Sequence, residues 1–254
     1  MNHKVKMTQK GFTLIELILA MTFISILLLT IALTVIQIAN IYNKGIITKE
    51  VNQSSRAIAD ELNRSLRSSG NFSTKPGANK YVVQIGTDSK PLGGRLCVGQ
   101  HSYVWNYGRA LARKDANRNQ YSGPSSSGNV VIESGVTRYE ISFVKVADAG
   151  GALCVPGGSG KYPAVNPASA VELMRSGDHN LVLHNLTVNS FPSAKDVLSS
   201  QQLYKVSYNV GTSDIAALNN DQSLCKGPGE AGSDLNYCSV SQFTLVLRVV
   251  SGVY

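Results

Sequence analysis

Charged residues are absent from a long stretch near the start of the chain. Between Leu17 and Asn43 the sequence has no Asp, Glu, Lys or Arg over 27 residues, and no proline occurs before Pro76. At about 1.5 Å per residue in an α-helix, this stretch reaches roughly 40 Å, which is enough to cross a bilayer. The absence of charge excludes an ordinary solvent-exposed helix and predicts a membrane-spanning segment.

The familiar catalytic and metal-binding motifs are also absent. The sequence contains no H-E-x-x-H, no G-x-S-x-G, no Walker glycine run and no C-x-x-C pair. Outside the first eleven residues the histidines are His101, His179 and His184, and the last two are five residues apart, which places them on opposite faces of a strand. We therefore predict that the protein is not an enzyme and uses no cofactor and no metal.

The apolar stretch begins beside a single acid. Gly11 precedes the run FTLIEL at residues 12–17, in which Glu16 is the one charged residue. An ionisable group next to a membrane segment is expensive in lipid and needs a partner. Four basic or titratable residues come before the segment: His3, Lys4, Lys6 and Lys10. By the positive-inside rule, the N-terminus then stays in the cytoplasm and everything after the segment is exported.

This N-terminal sequence resembles the processing site of type IV prepilins. The resemblance rests on Lys10 and Gly11, followed by Phe12 and, four residues later, Glu16. It implies that a prepilin peptidase cuts after Gly11 and methylates the new N-terminal Phe12, so that residues 1–11 are a leader peptide. It also implies that Glu16 of one subunit neutralises the Phe12 ammonium of a neighbour, because a buried pair largely cancels two costly charges.

Two other interpretations of this N-terminus are open. An uncleaved membrane anchor would carry Glu16 as a stray charge, and a secretory signal would have about half this apolar length and an A-x-A-like cleavage site. Many major pilins carry a helix-breaking proline in the membrane segment, where this chain has Leu33. In place of a proline, two kinds of residue could disturb the helix. The hydroxyl groups of Ser25, Thr30 and Thr34 can donate to carbonyls of their own helix, and Gly45 is a mild hinge.

An amphipathic pattern continues from residue 46 to residue 69. Its apolar members recur at helical spacing, with charged residues between them: Ile47, Val51, Ile58, Leu62 and Leu66. We predict one helix over residues 12–69, of which 12–43 span the membrane or form a filament core, 44–69 pack on a globular head, and Gly70 ends the helix. The pattern over residues 56–70 also resembles the larger minor pilins and the J-type pseudopilins of type II secretion.

The predicted head comprises residues 70–254 and is mostly β. Alternation at 204–210 and 243–249 predicts half-buried strands, and shorter candidates lie at 81–85, 95–98, 103–107, 130–133, 139–146 and 181–188. One short helix is predicted at residues 167–175, with Asn166 as its cap and Gly177 beyond its end. The predicted class is α+β, a long N-terminal helix on a mostly antiparallel sheet. The pilin resemblance implies the same fold.

The four cysteines all lie in the predicted head: Cys97, Cys154, Cys225 and Cys238. An even number in an exported domain favours disulfides. We favour Cys225–Cys238 and Cys97–Cys154, since the first pair brackets a loop with little else to hold it. A cysteine-bounded loop near the C-terminus also resembles the D-region of pilins. The alternatives are free buried thiols or a zinc site, and the missing C-x-x-C spacing counts against zinc.

One basic cluster suggests a nucleic-acid contact. Its members are interleaved with aromatic residues, a pattern that suits phosphate contact and base stacking: Arg109, Arg113, Lys114 and Arg118. Asp115 dilutes the charge, and the glycine- and serine-rich residues 122–128 that follow are typical of a solvated loop. DNA is therefore the weaker partner prediction.

Together these observations predict a structural subunit of a type IV pilus. The precursor is held in the cytoplasmic membrane, extracted by a pilus assembly platform and packed into a cell-surface filament. Its expected partners are the prepilin peptidase and methyltransferase, the assembly platform, membrane lipid before assembly and other pilin subunits. A head of 185 residues favours a minor or tip-proximal pilin. The alternatives are a pseudopilin of a type II secretion system and a single-pass membrane protein with a ligand-binding head.

Overall fold

A computed structural model describes most of the chain. Its most prominent element is one very long helix. The described residues are 11–75, 80–85, 90–111, 131–134, 137–158, 162–174, 180–196 and 201–250. Helix α1 is Leu14–Arg67. The chain divides into two compact units, one ending at Asn43 and the other beginning at Lys44.

Helix α1 is continuous and slightly shorter than predicted. It runs without interruption through Leu33 and Gly45, because no proline removes a hydrogen bond from its ladder. At its C-terminus the backbone N–H of Ser69 donates to the carbonyl of Leu66 at 3.2 Å. Gly70 then adopts a φ of 70°, the left-handed conformation that glycine commonly takes just after a helix.

The hydroxyl groups of the apolar segment bond to their own helix. Ser25 Oγ donates to the carbonyl of Met21, Thr30 Oγ1 to that of Leu27, and Thr34 Oγ1 to that of Thr30, each at 2.8 Å. The predicted back-bonding is confirmed at all three positions. A hydroxyl that is satisfied within its own helix needs no partner from outside, so these residues are compatible with a lipid environment.

The rest of the chain forms three antiparallel sheets. In chain order the elements are β1 (Tyr81–Ile85), β2 (Pro91–Val98), β3 (His101–Asn106), the short helix α2 (Gly108–Leu111), β4 (Val131–Ser134), β5 (Thr137–Glu140), β6 (Phe143–Ala147), β7 (Ala170–Glu172), β8 (Leu181–Asp196), β9 (Gln201–Thr212) and β10 (Val240–Val250). A five-stranded sheet has the order β1-β2-β3-β6-β7, a three-stranded sheet the order β10-β9-β8, and β4 pairs with β5. The predicted α+β class is confirmed.

The predicted helix at residues 167–175 is wrong. Only Pro167–Ser169 turns, as a single 3₁₀ turn in which Asn166 Oδ1 accepts from the backbone N–H of Ala168 at 3.0 Å. The chain then enters β7, which pairs antiparallel with β6. A short isolated helix is marginal, whereas an open sheet edge offers a ladder of hydrogen bonds at once, so the strand prevails. Gly177 lies outside the described residues.

The predicted strand at 139–146 is also corrected, because it is divided between two strands. β5 ends at Glu140 and β6 begins at Phe143. Between them the carbonyl of Ile141 accepts from Asn106 Nδ2 at 3.0 Å, and the carbonyl of Ser142 accepts from the backbone N–H of Asn106 at 3.0 Å. These two bonds to the end of β3 separate the strands. The other predicted strands are present, several of them longer than the pattern indicated.

The main core lies between the second half of α1 and the two larger sheets. All five predicted apolar residues of that half, Ile47, Val51, Ile58, Leu62 and Leu66, have no exposed surface. They belong to one cluster with aromatic side chains from both sheets, including Tyr103, Tyr204 and Tyr208. Each such burial is worth about 1.5–3 kcal/mol, so this face stabilises the helix far more than its intrinsic propensity does.

Candidate processing and assembly site

The first turn of α1 is closed by a reciprocal pair of hydrogen bonds between Thr13 and Glu16. The backbone N–H and the hydroxyl of Thr13 both donate to Glu16 Oε2 at 2.9 Å, and the backbone N–H of Glu16 donates to Thr13 Oγ1 at 3.3 Å. This is a capping box, which satisfies N–H groups that have no partner within the helix. The T-x-x-E spacing signals it in the sequence, although the resemblance to prepilins assigns Glu16 only to contact between subunits.

The residues on either side of the predicted cleavage position are accessible. Gly11 and Phe12 precede the helix and belong to no helix or strand, and Phe12 is 89% exposed. A peptidase needs a segment that is free of helical hydrogen bonds, and this one meets that condition. The cap of Thr13 and Glu16 begins one residue later, so cleavage after Gly11 leaves it intact.

The first half of α1 presents an apolar surface on all sides. Every residue from Gly11 to Ala39 is exposed, including large side chains such as Leu19, Phe23 and Leu28. In the part of the chain that the structure describes, this is the one helix long and apolar enough to cross a membrane. An exposed apolar cylinder of this length requires lipid or other helices around it.

The second half of α1 is fastened to the head by polar contacts near the C-terminal disulfide loop. Lys44 Nζ donates to the carbonyl of Cys238, and Ser241 Oγ lies 3.2 Å from Asn52 Oδ1. One turn further along, the Tyr208 hydroxyl donates to the carbonyl of Ser55 at 2.6 Å. These contacts fix the rotation of this half of the helix on the three-stranded sheet.

A half-buried charge cluster fastens the same half of α1 to the five-stranded sheet. Lys145 Nζ lies 2.7 Å from Glu61 Oε1, and the Tyr103 hydroxyl donates to the same oxygen at 2.8 Å. Ser65 Oγ donates to Glu61 at 3.2 Å and contacts the Tyr103 hydroxyl. Desolvation raises the pKa of the Glu61 carboxyl, but the bonds from Lys145 and Tyr103 and the charge of Lys145 outweigh it, so the net pKa is lowered.

The four cysteines form two disulfides, in the pairing that the sequence analysis favours. Cys97 on β2 bonds to Cys154, 57 residues later, and Cys225 bonds to Cys238 across 13 residues. Both bonds leave no free thiol. Zinc is bound by cysteine thiolates, and a cysteine in a disulfide has no thiolate. These four residues therefore cannot form a zinc site while both disulfides are intact.

The residues of the predicted basic cluster are only partly described. Arg109 lies in α2 and is half-buried, while Arg113, Lys114 and Arg118 lie outside the described residues. Arg109 lines a cleft together with residues from other parts of the head, among them His184. His101 is on β3 and His179 is outside the described residues. Among the described residues, no group of three or more His, Cys, Asp or Glu side chains is arranged to hold a metal.

Comparison with known protein families finds a match at the N-terminus of the chain. Residues 6–35 match the family model of the prokaryotic N-terminal methylation motif. No curated protein and no solved structure matches the chain at a significant level. The matched residues include Gly11, Phe12 and the Thr13–Glu16 cap, together with the first part of the exposed apolar helix.

Proposed function

We propose that this chain, whose N-terminal segment is that of the type IV prepilin and pseudopilin family, is a structural subunit of a type IV pilus. The precursor is anchored in the membrane by its N-terminal helix. In the proposed organisation, residues 1–11 are the leader, 12–43 the membrane and filament-core segment, 44–69 the amphipathic half of the helix, and 70–254 the exported head. The prepilin peptidase cuts after Gly11 and methylates Phe12.

The observation that carries this proposal is the continuous apolar helix with an acid in its first turn. Its side chains are exposed from Phe12 to Ala39, so the isolated chain leaves a large apolar surface without a partner. Lipid covers that surface before assembly, and the same segments of neighbouring subunits cover it in a filament. Glu16 is then the group available to pair with the ammonium of a neighbouring Phe12.

The size of the head supports a minor or tip-proximal position. Residues 70–254 number 185, which is larger than most major pilins need. Two disulfides and two larger sheets hold this head together. We propose that such a subunit contributes a specific surface, in adhesion, motility or DNA uptake, and that the bulk of the filament is another pilin.

A pseudopilin of a type II secretion system is the second candidate. The residue pattern over 56–70, in which Leu62 and Leu66 are buried and Arg67 ends the helix, is similar to that of the J-type pseudopilins. Both candidates imply the same processing and the same membrane anchor. They differ in the filament that the subunit enters.

Quantitative mass spectrometry of filaments sheared from cells tests the proposal. We expect the peptide that begins at N-methylated Phe12 to be present in sheared filaments at a small fraction of the most abundant pilin. Equal abundance would make the chain a main subunit. A methylated peptide found only in the membrane fraction would favour the pseudopilin, and retention of residues 1–11 would overturn the proposal in favour of an uncleaved anchor.

A further inference from the structure

The loop between β9 and β10, residues 213–239, leaves the three-stranded sheet at the end that lies beside Lys44. The Lys44 ammonium donates to the carbonyl of Cys238, at the end of this loop. Further along both elements, Ser241 Oγ lies 3.2 Å from Asn52 Oδ1. The two contacts show that β10 runs in the same direction as α1, starting from Lys44. The β9–β10 loop, which precedes β10, is therefore at the Lys44 end of the sheet.

Lys44 also marks the point at which the chain leaves the membrane in the proposed organisation, on which this inference rests. It is the first charged residue after the uncharged stretch that ends at Asn43, and it comes two residues after Tyr42. Tyrosine is enriched at the membrane–water interface, whereas a lysine ammonium stays outside the hydrocarbon. Because Lys44 holds the carbonyl of Cys238, the end of the β9–β10 loop lies within one lysine side chain of that boundary.

Three large apolar residues of this loop are exposed close to one another in the chain fold. Leu224 is 64% exposed, and Leu235 and Tyr237 are each 49% exposed. Leu224 and Tyr237 directly precede the two cysteines of the disulfide Cys225–Cys238, whose Cα atoms are 5.9 Å apart, so their side chains start from neighbouring points. Leu235 is two residues before Tyr237. Grouped apolar side chains that face solvent indicate an interaction surface, whereas single ones do not.

The backbone beside these side chains is already hydrogen-bonded within the loop. The N–H of Leu224 donates to Asn219 Oδ1 at 3.3 Å, and the carbonyl of Leu224 accepts from the N–H of Asn219 at 3.0 Å. The N–H of Tyr237 donates to Asp234 Oδ1 at 3.0 Å. A polar backbone group that leaves water without a partner costs free energy. This pairing therefore lowers the cost of bringing Leu224 and Tyr237 into the headgroup layer of a bilayer.

The charge of the loop argues against attraction to anionic lipid as the driving force. Residues 213–239 contain four acids and one base: Asp214, Asp221, Glu230, Asp234 and Lys226. A negative lipid surface attracts basic segments, so a loop with this balance gains nothing from it. The favourable contribution is the burial of apolar side chains at the boundary between headgroups and acyl chains.

We propose that the β9–β10 loop is a second membrane contact of the precursor, in which Leu224, Leu235 and Tyr237 enter the surface of a phospholipid bilayer. Tyr237 suits this position because its ring is apolar and its hydroxyl is polar. Covalent attachment through α1 keeps the loop at the bilayer, so a small apolar surface is sufficient where a free domain would dissociate. The contact holds the head in one orientation on the membrane before assembly.

Tryptophan fluorescence of the full chain in vesicles of brominated phosphatidylcholine tests this proposal. Bromine on the lipid tails quenches a tryptophan only at short range. The one tryptophan of the chain, Trp105, is fully buried in the head, so the unchanged protein gives the baseline. The variant Leu235→Trp places a probe in the loop. We expect this probe to be quenched, and more strongly by bromine near the headgroups than by bromine deep in the tails.

Two further probes separate this contact from the membrane anchor and from general adhesion of the head. Val171→Trp replaces an exposed residue of β7 that is in register with Lys145, the partner of Glu61. Glu61 is roughly 25 Å beyond Lys44 along the helix at 1.5 Å per residue, so this probe should stay at the baseline. Tyr42→Trp monitors the membrane segment itself and should be quenched whenever that segment is inserted.

Polar substitutions test whether the quenching depends on the apolar side chains. Added to Leu235→Trp, the change Leu224→Gln should reduce quenching about twofold or more, since it removes one of three apolar contacts with lipid. The matched change Val246→Gln removes an exposed apolar side chain of β10, further from Lys44, and should have no effect. Because the contact is apolar, quenching should be the same at low and high salt and no stronger with added phosphatidylglycerol.

Four results would overturn the proposal. If Tyr42→Trp is quenched while Leu235→Trp stays at the baseline, the anchor stands and the loop contact does not. Equal quenching of Leu235→Trp and Val171→Trp would mean that the head lies on lipid without using this loop. A blue shift of the Leu235→Trp emission without quenching would assign the loop to contact with a second copy of the chain. No quenching of Tyr42→Trp would overturn the membrane anchor and the proposed function with it. Circular dichroism of each variant confirms that the head is folded.

Discussion

Lys145 of β6 and Glu61 of α1 meet at 2.7 Å, and the pair joins the amphipathic half of the helix to the five-stranded sheet. The contact is half-buried on an otherwise apolar face, where Tyr103 and Ser65 supply the remaining hydrogen bonds of the carboxylate. A half-buried ion pair contributes modestly to stability because desolvation offsets most of the attraction. The pair nevertheless favours one rotation and one axial position of the amphipathic half of α1 on the sheet, since another position would separate Glu61 from Lys145.

Replacing Glu61 by glutamine should make the head less stable in a pH-dependent way. The pKa of Glu61 is lowered in the folded protein, so its contribution is fully present above the unfolded pKa and is lost as the pH falls through the folded value. At pH 7 we expect Glu61→Gln to reduce the free energy of unfolding by about 1–2 kcal/mol. The difference from the unchanged protein should disappear at a pH well below the ordinary carboxyl pKa.

Urea unfolding followed by circular dichroism at pH 7 and pH 3 measures this effect on the full chain in detergent. The matched control is Asp60→Asn, which removes an acid from the adjacent, exposed position of the same helix. It should change the free energy of unfolding by less than about 0.5 kcal/mol. If Asp60→Asn and Glu61→Gln behaved alike, the effect would be one of overall charge and not of the contact with Lys145.

The helix and most strands could be predicted because their patterns are local. The apolar spacing of Ile47, Val51, Ile58, Leu62 and Leu66 is helical, and all five are buried as that spacing indicates. Where the prediction failed, at residues 167–175, a long-range pairing decided the outcome. Residues Ala170–Glu172 complete the edge of a sheet whose other strands lie earlier in the chain. No local propensity contains that information.

The cleft that Arg109 lines could not be predicted from sequence for a related reason. Its residues come from four separate parts of the chain, near positions 90, 109, 184 and 221. The bulge between Leu183 and Asn185 depends on the pairing of β8 with β9. The basic cluster did point to Arg109, although as part of a run with its sequence neighbours. Its structural partners instead lie far away in sequence.

Gly94 should not tolerate a side chain. A Cβ at this position in β2 would lie 2.6 Å from the carbonyl oxygen of Val82 and 2.5 Å from Trp105 Cζ2, and the first of these atoms is backbone and cannot move easily. We expect Gly94→Ala to lower the free energy of unfolding by about 1–3 kcal/mol through overpacking.

Gly150 provides the matched control for that measurement. Its added Cβ would meet nothing within 4 Å, so Gly150→Ala should stay within about 0.5 kcal/mol of the unchanged protein in the same urea titration. Equal midpoints for the two alanine variants would mean that the β1–β2 edge relaxes to accept the methyl group.

Removing the C-terminal disulfide should loosen its loop more than the rest of the head. In the chain-entropy model, a bond across 13 residues contributes about 3 kcal/mol and one across 57 residues about 4 kcal/mol. We therefore expect the double variant Cys225→Ala with Cys238→Ala to lower the melting temperature, and the variant Cys97→Ala with Cys154→Ala to lower it further.

Limited trypsin digestion distinguishes a local effect from a global one. Lys226 lies inside the short loop, where its ammonium donates to the carbonyl of Ala231 at 2.8 Å. Loss of Cys225–Cys238 should expose this lysine to cleavage at temperatures where the head is still folded. Loss of Cys97–Cys154 should not do so. Similar cleavage rates at Lys226 in both variants would contradict a local role for the shorter bridge.

Glu16 has one observed role, in the helix cap, and one proposed role, in assembly, and a pair of variants can separate them. Within one chain its carboxylate accepts from the backbone N–H of Thr13, and in the proposed filament it also pairs with the Phe12 ammonium of a neighbour. Thr13→Ala removes the hydroxyl of the cap but keeps the charge, at a cost of about 1 kcal/mol to the first helical turn. Glu16→Gln keeps an acceptor for the cap but removes the charge.

If charge pairing between subunits drives assembly, Glu16→Gln should reduce the chain in sheared filaments at least tenfold, while Thr13→Ala should leave it close to normal. Immunoblots of sheared and membrane fractions measure the distribution, and the mass of the N-terminal peptide shows whether both variants are still cleaved after Gly11. Circular dichroism of the extracted proteins should be unchanged, because neither residue contacts the core that contains Ile47 and Leu62. A tenfold loss in Thr13→Ala with normal incorporation of Glu16→Gln would instead assign the requirement to the helix cap, since the charge would then be dispensable.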